Sequence, residues 1–119
     1  MSRTEFERVV AEALDSIPEE LGKAMENIVV TVDEEPTREE ILDVGLDPDE
    51  ATLFGLYQGV ALPERDPGVY GGVPPDRIVI YRLPLLEACA SRRELRREIR
   101  DTVVHEVGHY FGLGDEDLP

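Results

Sequence analysis

The 119 residues contain two histidines, and these stand four apart with a glutamate between them, in His105-Glu106-Val107-Gly108-His109. On an α-helix, residues i and i+4 lie one above the other on one face, so both imidazoles can aim at a single point ~2 Å away, the length of a Zn–N bond. Glu106 stands beside that point. A carboxylate there can take the proton of a metal-activated water, whose pKa the metal lowers toward ~7, and pass it to a leaving amine. The residues that follow extend the pattern to H-E-x-x-H-x-x-G-x-x-D, with Gly112 able to stop a helix sharply and Asp115 six residues beyond His109. A carboxylate oxygen is an acceptable third ligand for zinc. Only ten residues follow His109, which places the expected third ligand among Asp115, Glu116 and Asp117. The competing reading makes the histidines satisfied polar groups of a buried helix and Gly112 an ordinary C-cap. Two histidines, a glutamate, a glycine and an acid in register favour the metal site, and helical i, i+4 histidines favour zinc over Fe(II).

The element that must carry this set has a clear start. Ser91 and Glu94 have capping-box spacing, and the apolar pattern then runs to Phe111, predicting a helix of about 20 residues ended by Gly112. Leu95, Ile99, Val103, Val107 and Tyr110 share one broad side, extended by Val104 and Phe111, so the C-terminal half should be buried almost all round. Upstream, Ser2 and Glu5 open a one-faced helix over about 3–17 with Phe6, Val9, Val10, Ala13, Leu14 and Ile17 on its apolar stripe. Pro18 ends it and suits the first turn of a shorter helix near 18–25. The β-branched run 28–32 predicts a strand. Thr37 with Glu40 caps a short helix ended by Gly45, and strands are expected over 52–59 and 77–81. The segment 63–75, with four prolines and three glycines, is a loop of a length suited to a cleft wall or lid.

Composition narrows the partners. Acids outnumber bases 27 to 12, giving a net charge of −15, which penalises binding to phosphate backbones and anionic lipid; nucleic acid and membrane are set aside. Residues 1–60 hold 16 acids and 4 bases, so the chemistry late in the chain works beside an acidic neighbour that either favours basic peptides in an acid-rimmed cleft or is a solvated surface. With no apolar run of signal-peptide or membrane-spanning length, a soluble, cytoplasmic protein is expected. Cys89, the lone cysteine, excludes an internal disulfide and a thiolate cage and reads as a small buried apolar group. Arg92, Arg93, Arg96, Arg97 and Arg100 form one basic patch interleaved with Glu94, Glu98 and Asp101. An ion-paired helix start is the first reading and a homodimer surface meeting the acidic half of a second copy the other.

Beyond the motif, the chain resembles the small bacterial zincin-like metallopeptidase family. The likeness runs through Gly55 to Pro63, Pro75 to Ile78, Leu85 to Cys89 and the helix to His105–Gly112, with Asp115 and Glu116 following. It implies a single domain over 1–119 with a minimal zincin fold of the α+β class, a small twisted sheet packed against a backing helix and a long active-site helix. It also implies His105, His109 and Asp115 as Zn2+ ligands, Glu106 as general base, and a peptide or protein substrate paired along an edge strand at 52–59. Tyr70 is either an oxyanion donor or, more simply, a packed loop residue. The methionine turn of larger relatives has no counterpart, because Met1 and Met25 are both upstream of the motif. The expected activity is hydrolysis of peptide bonds. The rival of another class is a zinc-binding interaction protein that performs no cleavage, and a third reading is hydrolysis of a non-peptide amide or ester.

Overall fold

In the computed structural model, which describes residues 1–25, 27–59 and 76–110, the first helix α1 (Arg3–Asp15) begins where its cap predicts. The Ser2 hydroxyl accepts the Glu5 N–H at 3.1 Å, satisfying one of the donors that a helix start leaves without a partner. Phe6, Val9, Val10 and Ala13 are buried on one face of α1, and Ile17 continues the stripe. A short helix α2 (Glu19–Ala24) follows Pro18, then strand β1 (Ile28–Asp33) and helix α3 (Arg38–Asp43). Thr37 and Glu40 form a complete reciprocal capping box. Gly45, at φ 84°, closes α3 by letting the Gly45 and Leu46 N–H groups return to the Leu42 and Ile41 carbonyls, a reversal that costs a residue with a Cβ considerably more.

Strands β2 (Gly55–Gln58) and β3 (Asp76–Tyr81) complete a three-stranded mixed sheet of order β1-β3-β2. β3 lies in the centre, parallel to β1 (Ile28 opposite Asp76) and antiparallel to β2 (Gly55 opposite Ile80). Side chains alternate across a strand, and β3 shows both results. Ile78 and Ile80 join the main core with Val32, whereas Val79 and Tyr81 are buried outside it, toward the side where the Glu40 carboxylate reaches Gln58 Nε2 at 2.9 Å. β2 is shorter than the expected 52–59, although the Phe54 carbonyl still accepts the Tyr81 N–H at 2.9 Å.

A short helix α4 (Arg82–Ala88) fills a stretch in which the sequence pattern marks no element. Its start carries no side-chain cap, and Pro84 resembles a breaker, but within the first turn a proline forfeits only a hydrogen bond that the helix lacks anyway. The last helix, α5 (Arg92–Tyr110), packs on α1, β2 and β3. Leu95, Ile99, Val103 and Val107 meet the α1 stripe in one core cluster, as the sequence pattern requires. The Ser91 hydroxyl caps the Glu94 N–H at 3.1 Å, while the Glu94 carboxylate accepts from Ala90 rather than from Ser91.

The basic patch at the start of α5 is partly taken up inside the chain. Arg92 donates to Glu12 Oε1 at 3.0 Å and Arg96 lies 3.5 Å from Oε2 of the same residue. The Arg92 hydrogen bond, aided by the charge of Arg96, holds the Glu12 carboxyl below its ordinary value. A second cluster joins Arg82 and Arg3 to Glu34. Cys89 is half-buried against the core, and burial raises its thiol pKa. Among the described residues, no helix is long and apolar enough to cross a membrane.

Candidate metal centre

The last two turns of α5 carry the histidines. Their ring centroids stand 4.9 Å apart, with the planes crossing at 72°. Both rings are half-buried, and residues 102–109 divide into four buried and four half-buried positions, so the expected burial of this half of the helix on nearly all sides is met in part. The ligand atoms of His105, Glu106 and His109 all lie within 4.8 Å of one another. Glu106, 6% exposed, points toward β2, where its Oε1 accepts the Tyr57 N–H at 2.8 Å and stands 3.3 Å from His109 Nδ1.

The close approach of α5 to β2 depends on Gly55. A Cβ at that position would stand 2.5 Å from Thr102 Cγ2, one turn before Glu106, and 3.1 Å from the Val79 carbonyl oxygen. A side chain there would have to displace the Thr102 methyl and press on the Val79 carbonyl. A glycine inside a strand pattern signals such an approach, so the sequence carries a mark of Gly55 that the motif reading passes over. The Tyr57 N–H has no counterpart signal, because every non-proline residue offers the same donor.

A cleft of about 710 Å³ opens beside the pair, between residues 52–55 and the flank of α5 from Arg100 to Glu106. Leu53, Phe54 and Val104 give it an apolar lining, and His105 and Glu106 form its inner end. Its described lining holds Asp101 and Glu106 against Arg100 and none of the acids of residues 1–60.

The donor set suits a transition metal. Two imidazoles one helical turn apart on a partly buried surface are nitrogen donors of the kind zinc takes, and their approach is compatible with a shared ion. His105 and His109 would hold it. Asp115, Glu116, Asp117, Gly112 and Phe111, together with the 63–75 loop and Tyr70, lie outside the described residues, as does the side chain of Tyr110. Among the described residues, β2 is an edge strand, the position anticipated for substrate pairing.

The chain belongs to the zincin-like metallopeptidase family, whose model matches residues 25–119. The family implies a metal, typically zinc, and the His-Glu-His cluster falls within the matched region. Among solved structures, the chain is similar to a conserved hypothetical protein of T. thermophilus, with a TM-score of 0.61 and 19% identity over 93% of this chain and 94% of that one. At that identity the likeness concerns the fold, which it supports as α+β. No functionally curated protein matches the sequence.

Proposed function

We propose that this protein is a zinc-dependent peptidase in which His105 and His109 hold the metal and Glu106 is the general base. The observation that carries the reading is the placing of the Glu106 carboxylate. It lies within the same 4.8 Å cluster as the two imidazoles and lines a cleft flanked by a strand that is at the sheet edge among the described residues. A purely structural metal site has no use for such a carboxylate. Family likeness proposes Asp115 as the third ligand, with Glu116 as its nearest alternative.

When bound, zinc supplies the acidity that makes water a nucleophile near neutral pH and polarises a carbonyl. The protein's own part is to bind and orient the substrate and to move a proton. An extended peptide beside β2 gains main-chain hydrogen bonds from the outward groups other than the Tyr57 N–H, which Glu106 takes, and the cleft lined by Leu53, Phe54 and Val104 has the size and polarity to take a large apolar side chain. Glu106 accepts the proton of the attacking water and returns it to the departing amine, which leaves as a neutral group.

A peptide-library digestion with zinc-loaded protein tests the proposal, with Glu106→Gln as control. Cleavage by the wild type and loss of cleavage in a variant that keeps its zinc are expected. Zinc bound at full occupancy by a wild type that cleaves no peptide would overturn the peptidase and leave the interaction protein and the non-peptide hydrolase. Equal cleavage by Glu106→Gln would remove Glu106 from its role.

A further inference from the structure

We infer that Tyr57, itself fixed by the buried carboxylate of Asp76, is the positioning residue that sets the orientation of Glu106. The inference rests on Glu106 being the base, and it concerns how that base is aimed.

Hydrogen-bonded pairs alternate along an antiparallel ladder. The bond from Tyr81 N–H to the Phe54 carbonyl therefore makes 56 with 79 and 58 with 77 the bonded pairs, and leaves Tyr57, opposite Ile78, with its N–H directed away from β3. On the open side that N–H meets Glu106 Oε1 at 2.8 Å. The side chain of the same residue is tethered at its far end, because the Tyr57 hydroxyl donates to Asp76 Oδ1 at 2.9 Å. Asp76 is 3% exposed and opens the central strand, so it offers a fixed anchor. Gly59, at φ 155°, passes close over the pair: a Cβ there would stand 2.2 Å from Asp76 Oδ1 and 2.9 Å from the Tyr57 hydroxyl.

Tyr57 thus joins a buried anchor on β3 to the carboxylate on α5, through its phenol on one side and its main chain on the other. With Oε1 held by the Tyr57 N–H and lying against His109, the carboxylate is oriented. A hydrogen bond to a charged group buried this deeply is stronger than one between neutral groups, which makes the tether effective. Asp76 reaches Glu106 through Tyr57.

Amide hydrogen exchange by NMR on the zinc-loaded full chain reads the contact directly. The Tyr57 amide should be protected in the wild type and in Glu106→Gln, whose side-chain oxygen still accepts, and should exchange roughly 10- to 100-fold faster in Glu106→Ala. An unchanged rate in Glu106→Ala overturns the inference. On peptide cleavage, Asp76→Ala should lower kcat about tenfold with KM and zinc affinity unchanged, the equivalent of ~1.4 kcal/mol, and Asp76→Asn should recover most of the loss because its amide oxygen still accepts the phenol. If Asp76→Ala does not fold, Tyr57→Phe removes the same bond and should show the same kcat loss. Wild-type kcat in that variant, or a matching loss of zinc affinity, would reduce the tether to a structural contact. The exchange measurement needs no hydrolysis, so an inactive wild type would overturn the role of Glu106 as base while the contact is still decided.

Discussion

Helix α5 has two flanks built on different principles. Against α1 it buries Leu95, Ile99 and Val103 among Phe6, Val9, Val10 and Ala13, a seam held by apolar area and closed at its polar end by Glu12. Against β2, where Phe54 and Tyr57 pack on the same core, two further features are added. There the helix is seated by the absence of a side chain at Gly55 and by the hydrogen bond from Tyr57 to Glu106. Apolar burial is non-directional and tolerates replacement by groups of similar volume, whereas a missing Cβ and a single N–H are satisfied by one arrangement only. The first flank accounts for stability and the second for the placing of the carboxylate.

Substitutions that act on one flank alone should separate the two. The largest expected effect is on the β2 flank: Glu106→Gln should lower peptide cleavage about 10²- to 10⁴-fold while metal analysis shows zinc retained and the melting temperature changes little. On the α1 flank, Phe6→Ala should cost about 3–5 kcal/mol of stability by denaturant titration, and the fraction that stays folded should bind zinc as tightly as the wild type. Gly55→Val tests whether the close approach is required. It should cost about 1–3 kcal/mol, less than Phe6→Ala, yet reduce cleavage by more, because the displaced turn at Thr102 carries Glu106 with it. A Gly55→Val protein that keeps full activity would erase the contrast between the flanks.

The smallest effect lies at the polar end of the α1 seam. The folded-state pKa of Glu12 is lowered by Arg92 and Arg96, so its contribution to stability is present above the unfolded carboxyl value near 4.5 and is lost as pH falls through the lower, folded value. Glu12→Gln should therefore be slightly less stable than the wild type at neutral pH, and the two should converge in acid, as followed by thermal unfolding across a pH series. The difference should also shrink with added salt, because the pair is exposed.

The same division explains what could be read from the sequence. The α1 stripe, the β-branched strand β1, the caps at Ser2, Thr37 and Ser91 and the course of α5 follow from periodicity and local hydrogen bonding, and each stands within a few residues of its expected bounds. His105, Glu106 and His109 were legible because four residues of helix determine which side chains meet. Helix α4 was not, since Pro84 is permitted by its place in the first turn rather than by its identity. The pairing of Tyr57 with Glu106 spans 49 residues and uses a main-chain donor, and the anchoring of Tyr57 by Asp76 depends on strand register; neither leaves a local pattern.

The union of α1 with α5 also has a consequence for the order of folding. Glu12 and Arg92 are 80 residues apart in sequence, and the apolar seam beside them joins the same distant segments. Contacts of such separation form late, since a long stretch of chain must be closed before they repay the entropy of closing it. A nascent chain emerging from the ribosome therefore offers the α1 stripe only part of its partner surface, Val32 first and then Ile78, Ile80 and Leu85, before the α5 residues complete the seam.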